Sequence, residues 1–229
     1  MVYAQICQGI FGKRLNRFVA EVEIEGKREL CHVKNTGRCR EILVPGALVY
    51  LDEVPKASRS TRFDLIAVRK GAELINIDSQ APNRVFAEYL ASGAYLEGIT
   101  VLRPEAKYEK LRFDFYIEVA QRKIFLEVKG VTLETNGTAL FPDAPTLRGA
   151  RHLRELATCP GKGYEAHIVF VIQMKGVSSF QPHVEMDPDF AAALAQAVNA
   201  GVKVAAFDCL VTPQSLSIDQ PLPWDISRG

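Results

Sequence analysis

The chain has 229 residues and a mass of 25.4 kDa, with 28 Lys+Arg against 27 Asp+Glu, 48% hydrophobic and 24% charged residues. This is the composition of an ordinary folded protein and excludes disordered, collagen-like and mucin-like chains. A chain of this length buries roughly 70% of its unfolded surface, enough for one large core or two modest ones without disulfides or structural metal. The longest uncharged apolar stretch, residues 190–202, is well short of the ~18 residues that span a bilayer and reads as an amphipathic helix, so no membrane association is expected. Residues 1–12 lack a positive cluster followed by an apolar core and a cleavage site. The five cysteines include no Cys-x-x-Cys pair. Together these features predict a cytoplasmic protein with free thiols. Residues 1–80 carry 13 Lys+Arg and 10 Asp+Glu, and residues 81–229 carry 15 and 17. That mild basic excess fits a polyanion-binding surface and an ordinary solvated module equally well.

Short strands fill the first third. Residues 16–25 alternate apolar Phe18, Ala20, Val22 and Ile24 with polar neighbours, and a tight turn at Gly26-Lys27 leads into residues 29–33, making a hairpin. With residues 4–10, 47–54 and 63–68, about five strands and no helix fit in 75 residues, which predicts a small OB-like β-barrel over 1–80. After Pro82 the pattern changes. Residues 83–95 carry Val85, Phe86 and Leu90 at helical spacing, with Asn83 as the expected N-cap and Gly93 as the stop. Strands follow at 111–119, 123–128 and 167–174, the last nearly all apolar and expected at a sheet centre. Helices are expected over 146–158 and 187–200, with a final strand at 202–207. Residues 81–229 thus read as a second, α/β domain, making the chain α+β overall.

The chemistry concentrates at Asp114 on one strand and Glu127-Val128-Lys129 at the end of the next, followed by Gly130. Strand alternation sends Glu127 and Lys129 to one face. If residues 121–122 turn a hairpin, Asp114 comes beside Glu127, and two carboxylates meet an ammonium. Such a trio suits Mg²⁺ or Mn²⁺ held by oxygen ligands, with Lys129 orienting an attacking water. The string [DE]-x-K alone is uninformative, because Glu25-Gly26-Lys27 and Glu105-Ala106-Lys107 also match. Only Glu127 ends an apolar strand and has an acid, Asp114, inside the strand before it. The bland alternative is an ion-paired, partly buried network. Glu88 on the first helix is a candidate third carboxylate or a solvated helix residue. Gln173 and Lys175 could reach substrate from their strand end. Arg148, Arg151, His152 and Arg154 form a basic helix that either clamps phosphates or is a solvated face balanced by Glu155. In the first domain Arg14, Arg17, Lys34, Arg38 and Arg40 surround an Asn35-Thr36-Gly37 turn, a candidate DNA-binding surface in which only Phe11 and Phe18 could stack on bases. His32 and His183 read as structural.

The strings His32-Val33-Lys34-Asn35-Thr36-Gly37, Asn83-Arg84, Arg112-Phe113-Asp114-Phe115, Glu127-Val128-Lys129-Gly130-Val131-Thr132-Leu133, Phe141-Pro142-Asp143-Ala144-Pro145-Thr146 and Arg148-Gly149 to His152-Leu153 resemble the sugar fermentation stimulation protein A family over residues 3 to 210. The resemblance implies an N-terminal OB-like domain and a C-terminal domain of the PD-(D/E)xK nuclease superfamily. It also implies DNA binding with little sequence preference. Residue by residue, it places acidic ligands at Asp114 and Glu127, the lysine at Lys129 and a helix carboxylate at Glu88. Lys34 departs from the pattern, which carries proline there.

Two readings follow. In the first, the protein is a metal-dependent DNA phosphodiesterase: Asp114, Glu127, the Val128 carbonyl and Glu88 hold Mg²⁺ or Mn²⁺, and the barrel and basic helix (Arg14, Arg17, Lys34, Asn35, Arg38, Arg148, Arg151, His152) grip the DNA backbone. In the second, it is a non-catalytic DNA-binding regulator of sugar (maltose) metabolism genes, since a metal constellation proves only the capacity to bind a cation. RNA is a third, weaker substrate class. The sequence leaves open whether the DNA is single-stranded, duplex or branched, and whether the chain forms a homodimer.

Overall fold

The computed structural model describes residues 1–35, 37–54 and 60–226. The N-terminal strands are β1 (Ile6–Arg14), β2 (Val19–Ile24), β3 (Lys27–Val33), β4 (Leu48–Glu53), β5 (Phe63–Lys70) and β6 (Glu73–Asn76). Their order is β3-β2-β1-β4-β5-β6, and a parallel pairing of β3 with β5, from Cys31↔Phe63 to Val33↔Leu65, closes the first five into a barrel. The period-2 pattern fills the interior: Ala20, Val22 and Ile24 are buried. Phe18 departs from it, because it precedes β2 and is 51% exposed. Glu25 and Gly26 both have positive φ, +51° and +75°, so the β2–β3 loop turns in the left-handed sense that suits a two-residue hairpin.

Next come α1 (Ala81–Ala91), β7 (Ile99–Tyr108), β8 (Leu111–Val119), β9 (Arg122–Val131), β10 (Leu133–Thr135), β11 (Thr138–Phe141), α2 (Leu147–Leu156), β12 (Glu165–Ile172), β13 (Ser179–Pro182), α3 (Pro188–Asn199), β14 (Lys203–Val211) and β15 (Leu216–Pro221). The main sheet has the order β15-β14-β12-β9-β8-β7. Strands β9, β12 and β14 run parallel, flanked by antiparallel β8, β7 and β15. Every residue of β12 from Ala166 to Ile172 is buried because helices cover both faces of the sheet. On one face Leu153 and Leu156 of α2 and Phe190 and Leu194 of α3 join a cluster with Phe125, Ile168 and Phe170. On the other, Val85, Phe86 and Leu90 of α1 cluster with Phe115, Leu126 and Val169. This mixed-sheet unit beside a barrel is the α/β fold expected for residues after the barrel.

Two helix starts follow their sequence signals. Thr146 accepts a hydrogen bond from the Gly149 amide at 3.0 Å, and Asp187 accepts one from Phe190 at 2.9 Å. The start of α1 corrects the expectation at Asn83: the helix begins at Ala81 behind Gln80, with Pro82 in its first turn, where a missing N–H costs nothing. Asn83 is therefore the third residue of the helix and free to face the sheet. Strands β6, β7, β10, β11, β13 and β15 go beyond the sequence expectation. Most are short, and β7 is an exposed edge whose Arg103, Pro104, Glu105 and Lys107 mask any alternation.

His167 of β12 is buried, with Nδ1 2.8 Å from the Tyr95 hydroxyl and Nε2 3.5 Å from Glu165 Oε2. Burial, helped by the Lys203 charge, pushes its pKa down from 6.5 to about 4. Between those values the unfolded chain binds the extra proton, so stability is intact above pH 6.5 and is lost as pH falls toward 4. The loss should approach roughly 3 kcal/mol from this one group. Urea melts at pH 7.5 and 4.5 on wild type and His167→Gln should show a smaller acid loss in the variant; equal losses would remove His167 as the cause.

Candidate functional site

The site forms where the ladder between β8 and β9 opens. Pairing holds from Val119↔Arg122 to Phe115↔Leu126 and stops there. At the same point β8 changes the face it presents. Phe115 and Ile117 pack in the α1-side cluster, whereas Phe113 packs in the α2-side cluster, so strict alternation breaks at Asp114. Glu105, which the β7–β8 register sets opposite Asp114, has a φ of +51°. The result turns the Asp114 carboxylate toward β9. Its Oδ2 accepts the Val128 amide at 2.7 Å, and its Oδ1 accepts the Asn83 side-chain amide at 2.7 Å.

Glu127 stands next to it, with its side chain only 5% exposed. Oε1 accepts from Lys129 Nζ at 2.5 Å and lies 2.7 Å from His152 Nδ1 on α2. Oε2 is buried and finds no hydrogen-bond partner among the described residues. His152 Nε2 in turn accepts from Arg148 Nε at 3.4 Å, which assigns the hydrogen to Nδ1 and makes His152 a donor to Glu127. Glu127, Lys129 and His152 are thus joined by hydrogen bonds, and Asp114, held by the Val128 amide and Asn83, lies near enough for the Glu127 charge to act on it.

The two carboxyls titrate in opposite directions. Burial first, and the neighbouring Glu127 charge second, raise the Asp114 pKa from 3.8 to about 6. Burial alone would also raise Glu127, but the Lys129 ammonium and the His152 hydrogen bond outweigh it and hold Glu127 below the usual carboxylate range. The pair therefore concentrates negative charge on a carboxylate with one unsatisfied oxygen. A buried anionic oxygen of that kind costs on the order of 1–3 kcal/mol or more unless something coordinates it. Among the described residues no group of three or more His, Cys, Asp and Glu side chains forms a metal cluster, but the donor chemistry suits a divalent cation: two carboxylates near enough to influence each other electrostatically, with the Val128 backbone carbonyl between Glu127 and Lys129.

Other expected site residues lie elsewhere. The Glu88 carboxylate is 60% exposed and accepts from the Met1 amine at 2.6 Å. It sits five residues beyond Asn83, about 140° around the helix, so α1 presents Asn83 and not Glu88 to the cluster. Gln173 is buried and committed to the barrel: its Nε2 donates to Asn76 Oδ1 and the Asp78 carbonyl, and its carbonyl accepts from the Asn76 amide. Lys175 pairs with Asp208 at 2.7 Å and with Asp219. On α2, Arg148 and Arg151 are exposed, Arg154 pairs with Asp189, and His152 is too buried to clamp a phosphate. The decoys separate by position: Glu25-Gly26-Lys27 is a hairpin turn, and Glu105-Ala106-Lys107 lies on the edge strand β7.

The basic residues of the barrel divide into structural and free. Arg14 Nη1 donates to the carbonyls of Gly37 and Arg38, and Nη2 to those of Arg17 and Asn35, at 2.6 to 2.9 Å. Lys34 forms a 2.7 Å ion pair with the fully buried Asp78. Asn35 donates to the Ile77 carbonyl and accepts from the Gly37 amide. These three residues, expected to contact DNA, hold the loop in place. Thr36 lies outside the described residues. What they build is an open concavity of about 460 Å³ lined by Arg17, Arg38 and Arg40, none of which forms an ion pair among the described residues. A second cleft of about 300 Å³ runs between barrel and sheet past Gly130, the residue after Lys129. Gly130 is required there, since a Cβ would sit 2.5 Å from Gln173 Oε1 and 2.6 Å from Pro82 Cγ.

Sequence reasoning missed Asn83 as an Asp114 ligand and His152 as a Glu127 partner. The signal for His152 was its place on the buried side of an otherwise arginine-rich helix, one turn from Arg148.

The fold defines an OB barrel joined to a mixed-sheet α/β unit. Residues 13–77 match the family model described as SfsA N-terminal OB domain, and residues 80–215 match the Sugar fermentation stimulation protein RE domain. The chain belongs to the sugar fermentation stimulation protein family. A sugar fermentation stimulation protein homolog of Desulfitobacterium hafniense (strain Y51) is 55% identical over 94% of each chain. One from Clostridium beijerinckii is 51% identical over 95% of this chain and 96% of its own. The solved structure of Pyrococcus furiosus SfsA in complex with Ca²⁺ superposes with a TM-score of 0.89 at 30% identity, covering 98% of both chains. Among the described residues no helix is long and apolar enough to cross a membrane.

Two variants probe the site without ligand. In EDTA, ionised Asp114 costs stability at pH 8, and that cost should fall away as pH drops from about 6 toward 3.8, where Asp114 takes up a proton; Asp114→Asn, which cannot titrate, should lose this part of the pH dependence. A variant that keeps the wild-type pH dependence would contradict the raised pKa. Arg14→Ala, which leaves four carbonyls without their donor, should cost about 2–4 kcal/mol in urea melts, with Arg14→Lys recovering less than half because an ammonium cannot fork. An unchanged midpoint would remove its clamping role.

Proposed function

We propose that this protein is a metal-dependent phosphodiesterase that acts on DNA with little sequence preference. The observation that carries the reading is Glu127 Oε2, buried without a hydrogen-bond partner among the described residues, on a carboxylate whose charge acts on Asp114 and whose other oxygen is 2.5 Å from the Lys129 ammonium. Pyrococcus furiosus SfsA was solved in complex with Ca²⁺, a cation that takes oxygen ligands, and this supports a divalent-cation site in the family. Asp114, Glu127 and the Val128 carbonyl would hold one Mg²⁺ or Mn²⁺. Bound there, the cation would supply Lewis acidity toward a phosphate oxygen and a lowered pKa for a coordinated water.

The chain's own residues do the rest. Asn83 and the Val128 amide fix both oxygens of Asp114. Lys129 keeps its ammonium at the carboxylate pair, where it can orient the attacking water and neutralise charge on the phosphate in flight. Arg148 and Arg151 stand exposed on the adjoining helix. The concavity lined by Arg17, Arg38 and Arg40 suits backbone phosphates, which carry no base identity. With Glu88 held at Met1, the cluster supplies two carboxylates, which favours a single cation.

That same count favours a second reading, a DNA-binding regulator that uses the fold without hydrolysis. One assay separates them. Purified protein is incubated with supercoiled, linear and branched DNA in Mg²⁺, Mn²⁺ or EDTA, beside Asp114→Ala and Glu127→Ala. Hydrolysis should require the cation and fall at least 100-fold in both variants. Cleavage that persists in the variants removes the assigned centre, and DNA retention without cleavage of any substrate establishes the regulator.

A further inference from the structure

We propose that His152 is a positioning residue for Glu127: its Nδ1–H fixes which carboxylate oxygen is held by protein and which is presented to the cation. The inference rests on the cation site proposed above. Both donors to Glu127 converge on Oε1, Lys129 at 2.5 Å and His152 at 2.7 Å, and none reaches Oε2. The terminal torsion of a glutamate is broad and nearly two-fold, so nothing in Glu127 itself prevents the two oxygens from exchanging places.

The two donors differ in what they can fix. Lys129 carries its ammonium on a flexible four-carbon stem and can follow the carboxylate as it turns. His152 cannot. Its ring is 4% exposed, stands edge-on to Phe113 at 6.2 Å and 88°, and has its second nitrogen engaged by Arg148. It is also delivered by α2, an element packed across the sheet face from β9 through Leu153 and Leu156. His152 is therefore the rigid reference for the Glu127 carboxylate, and Arg148, by donating to Nε2, sets the tautomer that makes Nδ1 the donor. Outer partners of this kind commonly change metal affinity 10- to 100-fold.

Two substitutions of similar polarity separate positioning from packing. Asparagine places its amide nitrogen where histidine has Nδ1, whereas glutamine places it where histidine has Nε2, away from Glu127. Mn²⁺ binding to the full chain is measured by calorimetry for wild type, His152→Asn, His152→Gln and Asp114→Ala, with circular dichroism to confirm folding. The Asn variant should bind within about threefold of wild type, and the Gln variant about 10- to 100-fold more weakly. Equal affinity in the Asn and Gln variants, whether high or low, overturns the inference while leaving the proposed function in place. A wild type that takes up no Mn²⁺, or an Asp114→Ala variant that binds like wild type, removes the cation site and both readings with it.

Discussion

One hydrogen bond organises the site: the Val128 amide donating to Asp114 Oδ2. In an unbroken antiparallel ladder that amide would belong to backbone pairing, and Asp114 would stand on one face of the sheet among aromatic side chains. Here the ladder ends at Phe115↔Leu126, and the aspartate supplies the acceptor that the separating strand no longer offers. An acid inside an apolar strand is tolerated because the gap it fills is polar. The same opening leaves Glu127 and Lys129 inside the part of β9 that pairs only with parallel β12, so the Glu127 carboxylate and the Lys129 ammonium are carried by a sheet strand and not by a loop.

The second constraint is the bracket between barrel and sheet. Gln173, at the end of β12, hydrogen-bonds Asn76 and the Asp78 carbonyl after β6, and Asp78 receives Lys34 from the end of β3. These groups are almost fully buried, so each depends on the others for its hydrogen bonds, and removing one would leave an unpaired polar atom or charge. The bracket seats the barrel beside Gly130 and fixes the cleft between the two units. Arg14 does comparable work further out, using four backbone carbonyls to hold the loops that display Arg17, Arg38 and Arg40. Some cations that look like a binding surface in the sequence are internal struts. The arginines that form no ion pair among the described residues line the basic concavity.

Several parts of this arrangement are legible in the residue order. The barrel strands show period-2 alternation, the uninterrupted apolar run of β12 marks a sheet centre, and Thr146 and Asp187 mark helix starts. The convergence of Asp114, Glu127 and Lys129 follows from strand alternation and one hairpin. The start of helix α1 is not legible, because a proline in the first turn resembles a breaker. That resemblance hides Asn83, which only reaches Asp114 from inside the helix. Glu88 and Gln173 mislead for a related reason: position on an element does not reveal which neighbour takes the side chain.

Residue order alone settled the class of fold and pointed to Asp114, Glu127 and Lys129 as neighbours, because these depend on interactions within a strand or across one turn. Tertiary structure decided which cations are spent internally, that His152 and not Glu88 reaches Glu127, and that one Glu127 oxygen finds no hydrogen-bond partner among the described residues. Those outcomes depend largely on contacts between residues far apart in the sequence, such as Glu127 with His152 and Asp114 with Asn83, whose geometry exists only once helices have packed on both faces of the sheet.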